Sequence, residues 1–255
     1  MDMGCLQNLD QFEVRCFCPE TATELELDLE PGRGLTDAIE NPSRIDGLFI
    51  ERAMVRANDK LSVLSAEAPI NQPLLSDGSA YYQLLEEMRS AFETTVLDLP
   101  RQMLVQHPHL VHDAHVAVVV VDFTLAATRD AIRVLSWLKV NAPQSRVVVV
   151  ANKVAAPGLQ EVNRKEFEKS IERKVDILIP LEPKAAAQAA KLGQPLAKTG
   201  ANAKIGQPMN QLVAMTISAV DAADEVAAAP APGTLLARLG HLKGLVAKAP
   251  KPEKA

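Results

Sequence analysis

The sequence predicts an α/β protein with a doubly wound, mostly parallel sheet. Two observations lead to this prediction: short apolar runs rich in β-branched residues, and helical patterns that lie between them. Strands that alternate with helices need crossover connections, which place helices on both faces of a parallel sheet. The chain has 255 residues and is 47% hydrophobic, which is enough for one large core or two small ones.

Five apolar runs are predicted to form the strands. Two of them, Val116 to Val121 and Val147 to Val150, contain no polar residue. Uninterrupted runs of this length are typical of strands that are covered on both faces. The other three runs lie at 61–64, 94–97 and 175–179.

Helical patterns fill the intervals between these runs. Apolar residues recur at helical spacing at Tyr81, Leu84, Leu85, Met88 and Phe92, and again at Leu125, Ile132, Leu135 and Leu138. Thr124 or Asp122 can cap the second of these helices. Phe167 with Ile171, and the stretch 207–220, predict two further helices.

The two ends of the chain differ from this α/β body. Residues 1–22 show no clear period and are expected to form an atypical N-terminal segment before an α/β domain at 23–226. The alanine- and proline-rich stretch 227–233 predicts a linker. Residues 234–255 predict a basic amphipathic helix that ends in a disordered tail.

The C-terminal helix has the composition of a membrane- or partner-binding segment. Its apolar face consists of Leu235, Leu239, Leu242 and Val246, and its basic residues include Arg238 and Lys243. Each basic residue near an anionic lipid surface contributes about 1 kcal/mol of binding. Docking on its own domain or on a partner protein is the alternative.

Composition disfavours several classes of protein. A net charge of -5 and an aromatic content of 4% disfavour a specific nucleic-acid partner, which needs a basic face or stacking platforms. Three cysteines (Cys5, Cys16 and Cys18) make a poor disulfide framework, and a cytoplasmic location is expected. No apolar stretch has the ~18–20 residues that cross a bilayer.

Two polar residues follow predicted strands. Asp98 follows the run 94–97, and Asn152 follows the run 147–150 and Ala151. Ligands of open parallel sheets bind at the carboxyl ends of the strands, so Asp98 could hold a water on magnesium and Asn152 could bond a base. The local pattern alone favours a simple turn role for both residues. Ala155 replaces the aspartate of the guanine-reading pattern Asn-Lys-x-Asp, which disfavours guanine.

Other site motifs are absent or weak. The phosphate loop G-x-x-x-x-G-K-[ST] does not occur, and the nearest glycine pair, at 31–37, carries Arg33 in place of a loop lysine. G-x-S-x-G and H-E-x-x-H are also absent, so nothing supports those hydrolases. Four histidines at 107–115 are better explained by a polar helix than by a metal site; we predict no metal site.

Five segments resemble the CpaE/TadZ branch of the MinD/ParA class of deviant P-loop ATPases, which serves Flp/Tad pilus assembly. They are "LDLEPGRGLTDAIENPSRIDGLFIERAMV" (27–55), "LSVLSAEAPI" (61–70), "VLDLPR" (96–101), "VVVVDFTLAATRDAIRVLSWLK" (118–139) and "IPLEPKAAAQAAKLGQPL" (179–196). The resemblance covers roughly residues 23–225. The first and fourth segments are specific to that branch.

The resemblance implies a site and partners. Asp98 would be the switch-strand aspartate near magnesium and the γ-phosphate of ATP, Asn152 the adenine-side asparagine, and Pro180 part of the loop around the base. It also implies an ATP-promoted homodimer that places pilus secretion machinery at the inner membrane. The C-terminal helix is similar in kind to the membrane-targeting tail of MinD.

The chain departs from the family before residue 23. Family members carry there a strand, a phosphate loop with two lysines, its helix and an Asp-x-Asp strand, and these motifs are not found in residues 1–22. We therefore expect an N-terminally incomplete domain. Three functions stay open: an ATPase-type localisation factor, a scaffold at the membrane surface that binds no nucleotide, and, least favoured, a small-molecule enzyme.

Overall fold

The computed structural model describes residues 14–17, 29, 32–65, 78–200 and 204–228, with side chains described for 29, 32–65, 78–200 and 204–220. Within these residues the strands are β1 (Val14–Phe17), β2 (Val55–Arg56), β3 (Leu61–Leu64), β4 (Thr94–Leu97), β5 (Val116–Val121), β6 (Arg146–Val154) and β7 (Ile177–Pro180). All five predicted strands are therefore confirmed, with small changes at their ends.

Helices connect these strands. They are α1 (Gly34–Glu40), α2 (Gly47–Ala53), α3 (Ser79–Ala91), α4 (Arg101–Gln106), α5 (His109–His112), α6 (Leu125–Asn141), α7 (Arg164–Ser170), α8 (Pro183–Lys191), α9 (Leu196–Thr199) and α10 (Gly206–Ala228), with a 3-10 helix at Pro42–Arg44. The four predicted helices correspond to α3, α6, α7 and α10. None of the described helices is long and apolar enough to cross a membrane.

The strands form two hydrogen-bonded sheets. One has the order β2-β3-β1-β4 and the other the order β5-β6-β7. β1 pairs in parallel with β3 and β4, β6 pairs in parallel with β5 and β7, and β2 alone is antiparallel to its neighbour. The prediction of a mostly parallel α/β sheet is confirmed.

Strand β6 shows why helices cover both faces of the second sheet. Successive strand residues point to opposite faces, and here both faces are apolar. Val149 and Ala151 belong to a buried cluster with Phe167 of α7, whereas Val148 and Val150 pack with Met209 of α10. The second sheet is therefore wound on both sides, as the uninterrupted apolar run predicts.

Strand β5 is less covered than the sequence predicts. It pairs with β6, and within the described residues no ladder joins it to β4. Val120 is 37% exposed as a result, although the whole run 116–121 is apolar. The expectation of burial on both faces is correct for β6 and wrong for Val120, which lies in a strand with one pairing neighbour among the described strands.

The segment between β4 and β5 packs the two sheets together on one side. Leu99, which follows β4, shares a cluster with Val111, Leu138 and Val119. Arg101 at the start of α4 donates to the carboxylate of Asp130 in α6 at 2.5 Å. These contacts hold the carboxyl end of β4 next to the start of the helix that follows β5.

One strand was not predicted. The sequence of residues 1–22 has no clear period, yet Val14–Phe17 forms β1 between β3 and β4. Four residues are too few to show an alternation, so the position of β1 depends on ladders to strands that lie far away in the sequence.

Helix α6 begins where the sequence predicts. The Thr124 hydroxyl accepts a hydrogen bond from the Ala127 amide at 3.1 Å and donates one to the Asp122 carboxylate at 2.7 Å. Thr124 is thus the cap and Asp122 orients it. Helix α10 ends at Ala228, two residues inside the predicted linker, and residues 229–255 lie outside the described part of the chain.

The histidines at 107–115 divide into two groups. His107 is buried, and its ring lies 5.0 Å from that of Tyr81 and 5.8 Å from that of His109. His112 contacts Asp113 at 2.7 Å on the surface. In the described ranges no three His, Cys, Asp or Glu side chains are grouped to hold a metal ion. The predicted helix before the strand at 116 is present as α5, and its contacts are aromatic as well as polar.

Acid should weaken the fold through His109. Burial lowers the pKa of His109 and the neighbouring His107 lowers it further, while a hydrogen bond with the Gly78 backbone acts in the opposite direction. A lowered folded-state pKa contributes stability that is present above the unfolded value of about 6.5 and is lost as pH falls below it. We expect the free energy of unfolding to fall between pH 7 and pH 5.5.

Urea unfolding of the unaltered chain, His109→Gln and His115→Gln, each at pH 7 and pH 5.5, checks this expectation. His109→Gln should show a smaller fall in the free energy of unfolding than the unaltered chain, because glutamine cannot be protonated. His115→Gln, which alters an exposed histidine, is the matched control substitution. An unchanged slope in His109→Gln would show that this histidine does not set the acid sensitivity.

Candidate functional site

The carboxyl ends of β5 and β6 border an open cavity of about 360 Å³. Three groups of residues line it: Val119, Val120, Val121 and Asp122 from β5 and its end; Ala127, Asp130, Ala131 and Val134 from α6; Asn152 and Lys153 from β6. The floor is apolar and the rim is polar. Such a cavity at strand ends is where ligands of α/β sheets bind.

The acidic residues of the rim differ in their partners. Asp130 is neutralised by Arg101 at 2.5 Å and by Arg133 at 3.6 Å. Asp122 accepts a hydrogen bond from Thr124, and no cation pairs with it among the described residues. The negative charge at the mouth of the cavity is therefore concentrated at Asp122.

A β-bulge shapes the opposite rim. Ala151 pairs with Leu178 and Val154 pairs with Pro180, so two residues of β6 oppose one residue of β7. The second of them, Lys153, has a φ of 53°, which is in the left-handed region that a side chain disfavours. Bulges are common beside binding sites because they redirect side chains. This bulge brings both Asn152 and Lys153 to the cavity.

Asn152 lies within the bulge, and its side-chain oxygen and nitrogen differ in their partners. Its side-chain oxygen accepts from the Lys153 amide at 2.9 Å. Its amide nitrogen has no hydrogen-bond partner in the described part of the structure and can donate to an acceptor in the cavity. The sequence places Asn152 after a strand, whereas β6 continues to Val154.

Asp98 lies directly after β4 and is half-buried. Within the described ranges its carboxylate makes no hydrogen bond and no ion pair. It does not line the cavity, but Arg101, three residues further on, reaches the cavity residue Asp130. The strand-end position predicted for Asp98 is confirmed, and its role stays a prediction.

Pro180 is the last residue of β7 and lies opposite Val154 in the register. The backbone of the next residue, Leu181, donates to the Val154 carbonyl at 3.0 Å. Pro180 is thus held two residues from Asn152 along the paired strand, although it does not line the cavity. Its role beside a base stays a prediction.

Sequence reasoning missed three residues of the cavity rim: Asp122, Asp130 and Lys153. Asp122 carried a usable signal, because it follows the run 116–121 just as Asp98 follows the run 94–97. Lys153 carried no such signal, because the bulge that positions it depends on the pairing of β6 with β7. The predicted tail residues Leu235, Arg238, Leu239, Leu242, Lys243 and Val246 lie outside the described residues.

The cavity has the chemistry of a binding site. Its rim offers an amide donor, an ammonium group and an unneutralised carboxylate above an apolar floor of alanine and valine. No serine, cysteine or histidine is among the residues that line it, so its walls hold no serine- or cysteine-type nucleophile.

Several solved structures are similar to this chain. A ParA family ATPase from Chlorobium tepidum TLS has 16% identity and a TM-score of 0.71, over 82% of this chain and 87% of that one. The MinC:MinD cell division protein complex of Aquifex aeolicus has 17% identity and a TM-score of 0.66, over 85% of this chain and 87% of that one. The septum site-determining protein MinD of Pyrococcus horikoshii OT3, complexed with Mg-ADP, has 14% identity and a TM-score of 0.63, over 90% of this chain and 90% of that one.

These similarities show that the chain has the fold of the MinD and ParA structures, a doubly wound α/β fold. No protein-family model matches the chain, and no curated protein is a significant match.

Proposed function

We propose that this chain acts in Flp/Tad-type pilus assembly and localisation as a relative of the MinD/ParA ATPases. Two independent observations support the proposal. The segments 27–55 and 118–139 resemble the CpaE/TadZ branch in sequence, and the chain is similar in fold to ParA and MinD structures over 82–85% of its length. Its partners are proposed to be the pilus secretion proteins, a second copy of the chain and the inner-membrane surface.

The proposed ligand is adenine nucleotide with Mg²⁺, and the free amide of Asn152 at the cavity rim is the observation that carries this proposal. The Pyrococcus horikoshii MinD is complexed with Mg-ADP. Asn152 would hold the base, with Pro180 beside it. Asp98, a half-buried carboxylate without a partner among the described residues, fits the magnesium side.

The phosphates fit this chain less well than the base does. A phosphate loop binds through successive backbone N–H groups and a lysine, and the motif that builds one is absent from the 255 residues. We therefore propose that this chain binds adenine nucleotide mainly through the base and does not turn over ATP. Its role in assembly would then be that of a scaffold.

A complementation experiment tests the pilus role. Deleting the gene should remove Flp pili from the cell surface, and expressing residues 1–255 should restore them. A chain that ends at residue 233 should restore fewer pili, because it lacks the apolar and basic residues of the tail. Normal piliation after deletion contradicts the pilus proposal, whereas full rescue by the short chain contradicts only the role of the tail.

A further inference from the structure

We propose that an open groove between α1 and α2 binds an acidic segment of a partner protein. The groove, called the arginine groove below, has a volume of about 380 Å³. Its lining includes Asp37, Arg44, Asp46, Leu48, Phe49 and Arg52. The segment that fits it carries carboxylates on both sides of a large apolar side chain. The groove shares no residue with the cavity at the ends of β5 and β6, so the interaction is proposed independently of nucleotide binding.

The first observation is that both arginines of the arginine groove lack an acidic partner. Arg44 ends the 3-10 helix, Arg52 lies in the last turn of α2, and both residues are exposed. Within the part of the chain that the structure describes, neither guanidinium group makes an ion pair or a hydrogen bond. Arg33 and Arg56, which lie nearby in the sequence, each pair with an aspartate. Two guanidinium groups are therefore available to a ligand.

The two aspartates of the groove already have partners of their own. Asp46 caps α2, because its carboxylate accepts a hydrogen bond from the Phe49 amide at 2.7 Å. The Asp37 carboxylate lies 3.7 Å from the Arg33 guanidinium group. A guanidinium group can donate to both oxygens of one carboxylate. The charge that the groove offers to an incoming ligand therefore favours a carboxylate.

The second observation is an apolar wall beside these charges. Leu48 is 53% exposed, and it lies four residues before Arg52 in α2, so the two side chains share one helix face. Phe49 and Ala53 line the groove as well. A free inorganic anion would leave this apolar surface in water, whereas a peptide with a leucine or phenylalanine beside its carboxylates would cover it. The apolar wall therefore favours a peptide over a small anion.

The third observation is that the core holds the backbone of the groove in place. Ile45, which follows Arg44, is 3% exposed, and Ile50 of α2 is fully buried in the same cluster. The Gln83 side chain of α3 donates a hydrogen bond to the Ile45 carbonyl at 2.9 Å. Both arginines thus extend from backbone that is packed before a ligand arrives, which lowers the ordering cost of binding.

Peptide binding to the full chain tests this proposal. The probe is fluorescein-labelled Glu-Asp-Leu-Phe-Asp-Glu, and its fluorescence anisotropy is measured at about 50 mM salt, where exposed charges are weakly screened. We expect saturable binding that is about tenfold weaker when Arg44→Gln and Arg52→Gln are combined, since each exposed ion pair contributes a factor of about three. Arg129→Gln combined with Lys139→Gln is the matched control. It removes the same charge from exposed positions of α6 and should leave binding unchanged.

Two further comparisons distinguish a peptide-binding groove from a general anion site. Replacing the Leu-Phe pair of the probe by Ser-Ser should weaken binding about fivefold, because the apolar contact is lost. Leu48→Ala should weaken binding of the original probe by a similar factor for the same reason. Inorganic phosphate, added at the concentration where the probe half-saturates the chain, should not displace the probe.

Four results would overturn the proposal. The first three are a probe that does not saturate, equal binding by the variant that lacks both arginines, and equal binding of the serine peptide, which would leave an anion site only. The fourth concerns a second copy of the chain as the occupant. If sedimentation velocity shows a dimer that the combined Arg44→Gln and Arg52→Gln variant cannot form, the groove belongs to that second copy and not to a partner protein.

Discussion

Phe167→Ala is expected to lower the free energy of unfolding by about 3–5 kcal/mol, because it empties the centre of a buried cluster. Phe167 is fully buried, and its ring meets that of Phe123 edge-on at 5.3 Å. It also packs with Val149 and Ala151 of β6, which lead into the bulge at Asn152. Urea unfolding followed by circular dichroism measures the loss.

A surface substitution provides the control for this effect. Leu159 is 78% exposed, so Leu159→Ala should change the free energy of unfolding by no more than about 0.5 kcal/mol. A loss below about 1 kcal/mol in Phe167→Ala would mean that the α7 side of the second sheet is not packed as the structure has it. The bulge and the cavity above it would then lose their structural support.

Strands with strong local signals were predictable from sequence. The runs 116–121 and 147–150 are long and apolar, and α6 combines helical spacing with a threonine cap. β1 was not predictable, because four residues show no period and distant ladders fix them. The exposure of Val120 was also not predictable, since an apolar run has the same pattern whether its strand is fully or partly covered.

The candidate site was only partly predictable for a related reason. Asp98 and Asn152 follow apolar runs, and that signal is local. The bulge that turns Asn152 and Lys153 towards the cavity arises from the register between β6 and β7, which the sequence does not display. Asp130 lies one and a half turns into a helix, and only packing of α6 beside β5 brings it to the rim.

Asn152→Ala is expected to weaken adenosine binding about tenfold, since hydrogen bonds to a base contribute about 0.5–1.5 kcal/mol each. The substitution removes the free amide at the cavity rim and also the bond to the Lys153 amide. Asn41→Ala is the matched control, because Asn41 is exposed and lies in the part of the chain that forms the other sheet. This variant should bind adenosine normally. Equal affinity in the two variants would remove Asn152 from the adenine site.

Parallel calorimetric titrations of the 255-residue chain with adenosine and with ATP plus Mg²⁺ test the central claim most directly. Base-side binding without a phosphate loop predicts that both ligands saturate with dissociation constants of about 1 mM, or about 4 kcal/mol of binding free energy. The two constants should agree within about threefold, and no phosphate should be released from ATP. No saturation with either ligand, or ATP binding about a hundredfold tighter than adenosine, would contradict the claim.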